Sequence, residues 1–313
     1  MPAEWMARLF DFLDDAAGVP PFVAKGVLAV LVVCVLCGMV GSLVVGNRMA
    51  FFSDAMAHSA FAGVALGYLG VLAAGAGRDG ETAAWLVPLV MILFGSGVGA
   101  AIVYVREQTS LSSDTVIGVF FALAIGFGAM LFRVLQDVSS FNPESFLWGS
   151  LLFVTEADLL IMLGLVGVVG GLFAWRYNQL VFASFNPSLA RTRRVSLRVN
   201  NYLFIVLLAL VVNLSIKAVG ALLINALLVV PAAAASNVSR NLRQMFWLTV
   251  VFCVGSGLLG FYLSTAVSIG GAGGQRVKFG PSGTIVVVSV CLFFATVVWG
   301  AVRGRTAAPS APR

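Results

Sequence analysis

Apolar runs of about 18 to 25 residues recur along nearly the whole chain, each long enough to cross roughly 30 Å of hydrocarbon as a helix. Nothing constrains the fold more, because a backbone inside lipid must satisfy its own N–H and C=O groups. Spans are expected near 22–46, 55–75, 84–104, 115–135, 157–175, 200–217, 218–236, 245–267 and 283–302. Only Lys217, Ala218, Val219 and Gly220 separate the sixth from the seventh, which suits a tight hairpin. A membrane barrel would show short alternating segments instead, and none occur. Composition agrees: 60% of residues are hydrophobic, 10% are charged, and the mean hydropathy is +1.02, outside the soluble range. The expectation is an all-α integral membrane protein of about nine transmembrane helices. It forms one transmembrane domain over 1–313, with a lead-in at 1–21, a flexible tail at 303–313 and no room for a large soluble domain.

Charge sets the orientation. An odd number of spans puts the termini on opposite sides. The side with the C-terminus receives Arg48, Arg106, Arg176, Arg191, Arg193, Arg194, Arg198, Arg240 and Arg243. The other side receives most of the acidic residues, including Asp79, Glu81, Asp137, Glu144 and Glu156. Basic loops stay inside, so the C-terminus is expected in the cytoplasm and the N-terminus outside. The net charge of +6 therefore reads as topology rather than as nucleic-acid binding. Glu4, Asp11, Asp14 and Asp15 argue against a cleavable signal and for a surface-lying lead-in.

The connections carry their own signals. Asn186 and Pro187 can start an arginine-bearing surface helix within the inside loop 176–199. Residues 139–153 suit a re-entrant or interfacial helix with Trp148 at headgroup depth, and the glycine-rich stretch 268–280 a flexible external loop. No G-x-x-x-x-G-K-[ST] occurs, so the chain offers no phosphate cradle and is expected to hydrolyse no ATP itself. Cys34 and Cys37 share one helix face, where they behave as small hydrophobes or, alternatively, hold a soft metal.

The chemistry concentrates in GNRMAFFSDAMAHSAFAGVALG, residues 46–67, which holds the only histidine of the chain. Asp54 and His58 stand at i and i+4 on one helix face. A carboxylate in a span is costly and marks a pathway or a partner. Ala55, Ala57, Ala60, Ala62 and Gly63 around the pair favour close helix packing. Imidazole with carboxylate suits a divalent ion such as zinc or manganese, and a two-fold dimer would double two ligands to four. The alternative is structural: Asp54 caps the start of the span and His58 makes an interhelical hydrogen bond.

NRMAFFSDAMAHSAFAGVALG resembles the second-span motif of the ABC-type zinc/manganese permeases, in which an arginine-methionine pair precedes D-x-x-x-H. SSDTVIGVFFALAIGFG, FLWGSLLFVTEADL, VGALLINALLVVPAAAAS and PSGTIVVV resemble further blocks of that family, in family order. The resemblance implies a permease subunit of an ATP-driven importer of zinc, manganese or iron in the bacterial inner membrane. No cofactor would be permanently bound. The implied partners are a second copy of the chain, two copies of a cytoplasmic ATP-binding subunit, an extracytoplasmic metal-binding protein and membrane lipid, with no nucleic acid.

It further implies that Asp54 and His58 line the metal path, and that the segment from Ala232 to Met245 after Pro231 docks on the ATPase. Pro231 would end or kink the span, Ser236 or Asn237 would cap a new short helix, and Arg240 and Arg243 would carry charge on the inside face. Two positions depart from the family pattern. Ser150 stands where an aspartate is common. Asn225 replaces a small or hydroxyl residue and reads as an interhelical hydrogen-bonder or as an extra pore ligand. Three rival functions are a permease for an iron chelate or cobalamin, which needs no ligand pair, an ion-coupled secondary transporter, which predicts inverted repeats and more carboxylates, and a non-transport membrane scaffold, which leaves the polar helix face unexplained.

Overall fold

The computed structural model describes residues 20–75, 81–138, 149, 151, 154–185, 196–270 and 276–302. Among them, nine helices are long and apolar enough to cross a membrane. They are α1 (Pro21–Gly46), α2 (Phe52–Ala73), α3 (Glu81–Gln108), α4 (Ser113–Val138), α5 (Glu156–Phe185), α6 (Leu197–Val219), α7 (Ala221–Val238), α8 (Leu242–Ala266) and α9 (Pro281–Val302). Each expected span falls on one of them.

Helix α1 is the hub, packing against α5, α6, α7 and α8. Its apolar residues are enclosed on most sides, with Ala29, Val33, Leu36, Val40 and Leu43 fully buried. Helix α2 packs on α3 and α4 and touches α6 and α7, while α9 closes against α7 and α8. Large apolar side chains on α3, α4 and α9, including Trp85, Leu93, Leu123, Met130, Phe294 and Trp299, face outward. In water such a surface would drive aggregation; against lipid tails it is the ground state.

Small residues set the helix separations. Gly63 and Gly67 form a G-x-x-x-G stripe on α2, and a Cβ on either would stand 2.8 Å from the Met91 Cα or 2.9 Å from the Val87 Cα of α3. Backbone thus meets backbone along the helix that carries the candidate site. Helix α6 passes into α7 through Gly220 alone, with φ 86° and ψ 155°. That conformation is essentially glycine-only, so the tight hairpin between the sixth and seventh spans rests on this residue. Lys25 of α1 and Glu156 of α5 join those helices by a 2.8 Å ion pair.

Several expectations are corrected. Helix α2 starts at Phe52, three residues before the expected boundary, which places Asp54 in its first turn. Helix α5 runs to Phe185, well past residue 175, through a polar stretch in which the Arg176 guanidinium donates to Gln179 Oε1 at 2.9 Å. Within the glycine-rich stretch, Ser268–Gly270 (β1) pairs antiparallel with Arg276–Lys278 (β2). Pro231 does not end its span, because α7 continues through it to Val238.

No new short helix begins at Ser236 or Asn237. Ser236 Oγ donates to the Ala233 carbonyl of its own helix, and Asn237 Nδ2 reaches Thr296 Oγ1 on α9 at 3.2 Å. The cap is Asn241, whose side chain accepts from Gln244 N at 2.8 Å to start α8. The physical reason is the run Ala232–Ala235, whose high helix propensity carries α7 past the proline. The Asn186–Pro187 helix start, Trp148, Ser150, the first nineteen residues and the tail lie outside the described residues.

Candidate metal site

The turn from α1 into α2 sets the site. Arg48 there has φ 54°, the left-handed region, and Asn47 Nδ2 returns to the Leu43 carbonyl at 2.9 Å. Met49 is buried, with its sulfur 3.2 Å from Arg106 Nη1 of α3. Phe51 is the N-cap of α2, and no side chain caps it. Asp54 is therefore not the capping residue, and its carboxylate is left for other partners while standing near the positive end of the helix dipole. Ser53 and Ser59 return their hydroxyls to the Ala50 and Met56 carbonyls, within the same stretch of chain.

One turn on, His58 Nδ1 lies 2.9 Å from the Asp54 backbone carbonyl and 3.9 Å from Asp54 Oδ1. The shorter contact defines the ring. A carbonyl oxygen only accepts, so Nδ1 carries the proton, and in the neutral imidazole the Nε2 lone pair is free to bind an ion. This is the arrangement in which a backbone acceptor fixes the tautomer and orientation of a metal-binding histidine. Phe121 of α4 holds the other side of the ring edge-on, with centroids 4.8 Å apart at 74°.

Helix α7 closes the opposite flank. Asn225 Nδ2 donates to Asp54 Oδ1 at 2.6 Å across 171 positions of sequence. Asn225 is thus an interhelical hydrogen-bonder, one of its two expected roles. A charge-assisted hydrogen bond of this kind offsets part of the cost of a carboxylate within a span. Both site side chains keep partial access, 40% for Asp54 and 28% for His58, so the pair is neither sealed in the core nor fully on the surface.

The structure thus brings Asp54, His58 and Asn225 together. The remaining candidates lie apart from them. Pro231 sits within α7, two turns along from Asn225. Arg240 is exposed, with its backbone N–H donating to Gln244 Oε1 at 2.9 Å. Arg243 lines a groove of about 490 Å³ between α1, α5 and α8, beside Tyr177 and Trp247. Cys34 and Cys37 are fully buried free thiols. Among the described residues no group of three or more histidine, cysteine, aspartate or glutamate side chains is placed to hold a metal ion.

Three features escaped the sequence reading. Phe121 gave no signal, because one aromatic in an apolar run looks like any other. Asn213 of α6 is fully buried against Gly95 of α3 with neither amide atom paired; its polarity within an apolar run was the available clue. Cys253 of α8 places its Sγ 3.7 Å from the Leu227 carbonyl, the acceptor that Pro231, lacking an N–H, cannot serve.

Comparisons with known proteins bear on the fold and family as a whole. An uncharacterized membrane protein of Synechocystis sp. is 33% identical over 255 residues, covering 79% of this chain and 85% of that protein. The manganese import system permease protein ScaB of Streptococcus gordonii is 28% identical over 248 residues, covering 79% of this chain and 84% of ScaB. Among solved structures, PsaBC from Streptococcus pneumoniae in complex with Fab superposes with a TM-score of 0.69 at 25% identity, covering 93% of this chain and 95% of that one. With nine apolar helices among its described residues, the chain is a multi-pass protein of the bacterial cell membrane. The profile of the ABC 3 transport family matches residues 20–300, and the chain belongs to that family.

Proposed function

We propose that the chain is the membrane-spanning permease subunit of an ATP-driven importer of divalent transition metal ions, with Asp54 and His58 contacting the ion in transit. Family membership and the likeness to a manganese import permease support the class of cargo. The observation that carries the site is the placement of His58 Nδ1 2.9 Å from the Asp54 carbonyl and 3.9 Å from Asp54 Oδ1, an orientation in which the Nε2 of a neutral imidazole is left for an ion. A dication meeting one carboxylate and one neutral imidazole exchanges part of its water shell for two ligands, loosely enough to leave again.

The assembly follows from ligand number. One chain offers two such donors, and two chains about a two-fold axis offer four with two negative charges, matching a dication. Two cytoplasmic ATP-binding subunits would drive the permease pair between outward and inward states, and an extracytoplasmic binding protein would deliver the ion. On this reading the C-terminus faces the cytoplasm, and the turn Ser239–Asn241 with the exposed Arg240 is the docking point for the ATPase, in place of a separate coupling helix.

Replacing Asp54 with Asn tests the site. The amide keeps the volume and can still meet Asn225, so assembly with the ATPase is expected to survive while ion uptake into a deletion strain falls by about 100-fold or more. Wild-type uptake by a normally assembled Asp54→Asn transporter would contradict the proposal.

A further inference from the structure

Asn225 has a second atom that the hydrogen bond to Asp54 leaves unused. The carboxylate can only accept, so the amide must turn its nitrogen toward Asp54, as the 2.6 Å contact has it. Its Oδ1 is then buried with no hydrogen-bond partner. Leaving a buried acceptor unsatisfied is a standing penalty that a ligand could remove. Amide nitrogen and oxygen lie about 2.3 Å apart, so Oδ1 is within about 4.9 Å of Asp54 Oδ1. An ion about 2.2 Å from each of two oxygens holds them about 3.1 Å apart at a right angle and about 4.4 Å apart in line. Rotation about the soft terminal torsion of Asn225, which carries Oδ1 toward the place of Nδ2, covers that range.

We propose that Asn225 is a third ion-contacting side chain of the Asp54–His58 site, and that its carbonyl oxygen biases the permease toward manganese-class ions over zinc. The inference rests on the reading of Asp54 and His58 as the ion-contacting pair. In the empty site Asn225 holds Asp54 through its N–H; in the loaded site its oxygen joins the carboxylate and the imidazole. Three donors per chain make six in a two-fold pair. Octahedral sets rich in carboxylate and carbonyl oxygen suit Mn²⁺, whereas Zn²⁺ settles into four-coordinate sites that gain nothing from the added oxygens.

The test is uptake of ⁵⁴Mn²⁺ and ⁶⁵Zn²⁺, each alone and in competition, by cells carrying the complete transporter with wild-type permease, Asn225→Val, Asn225→Asp or Asp54→Asn. Membrane level and co-purification with the ATPase are measured for each. Asn225→Val, which removes the oxygen at similar volume, is expected to lower the Mn²⁺:Zn²⁺ uptake ratio by about tenfold or more. Asn225→Asp keeps an oxygen there and, by sharing a proton with Asp54, keeps the contact; its ratio should stay within about threefold of wild type. A residue that only holds Asp54 in place would move both metals by the same factor. An unchanged ratio in Asn225→Val overturns the inference, as does an Asn225→Asp ratio as low as that expected for Asn225→Val. If Asn225→Val fails to assemble, Asn225→Ala, which also removes the oxygen, takes its place with the same expected and contradicting ratios. Asp54→Asn separates the two layers: normal uptake there removes the ion-contacting pair itself, whereas its loss beside an unchanged ratio in Asn225→Val removes only the role of Asn225.

Discussion

His58 has one nitrogen committed and one free. Because Nδ1 spends its proton on the Asp54 carbonyl within the same helix, losing the imidazole breaks no hydrogen bond to another helix among the described residues and gives up the ring packing on Phe121. His58→Gln should therefore assemble normally and lose about 10–100-fold in metal uptake, read as the initial rate of radiolabelled ion entry. A second residue-scale prediction concerns Gly220, whose φ of 86° and ψ of 155° no L side chain adopts without strain. Gly220→Ala should cost about 1–3 kcal/mol, seen as a lower thermal midpoint of the detergent-solubilised complex. Of these features the Asp54–His58 pairing is legible in the sequence, since four positions along a helix make one face. The committed tautomer is not, because it depends on an N–H···O distance. Asn225 announces itself as a polar residue in an apolar run, but nothing in the sequence says that its partner lies 171 residues away.

Helix α7 shows how an element tolerates a residue that should interrupt it. Pro231 deprives the Leu227 carbonyl of its intrahelical donor, and the Cys253 thiol of α8 stands in at 3.7 Å. A thiol is a weak donor, so its contribution is small but coupled. Cys253→Ala should lower thermal stability, and less so in a Pro231→Ala background, where the alanine N–H serves Leu227. The coupling between the two substitutions should be about 0.5–1 kcal/mol, measured as a double-mutant cycle on unfolding midpoints. Strict additivity would mean that the thiol plays no such part.

The same helix explains which elements sequence could give. All nine helices were legible because lipid enforces length and apolarity on each span. Their ends were not. The alanine run carried α7 through the proline to Val238, the Arg176–Gln179 pair lies on a helix that outlasts its apolar stretch, and the β1–β2 pairing is hidden behind glycines.

At the scale of the molecule, the candidate site sits where α2 meets α4 on one flank and α7 on the other. Close α2–α3 packing makes α2 part of a larger block, since Gly63 and Gly67 bring it against the α3 backbone. Gly63→Val should displace α2 relative to α7 and lower uptake of every cargo ion together, in contrast to the metal-selective effect expected at Asn225. A chain offering only two or three donors needs a partner copy to surround a dication, so the purified transporter should contain two permease chains per two ATPases, countable by native mass spectrometry.

The central claim is that Asp54 and His58 touch the cargo. Equilibrium binding of ⁵⁴Mn²⁺ and ⁶⁵Zn²⁺ to the purified permease–ATPase complex, without ATP or binding protein, tests it most directly. The account predicts saturable binding by the wild type and a loss of about 100-fold or more in affinity for the Asp54→Asn, His58→Gln double variant; equal affinity in a correctly assembled double variant would contradict it.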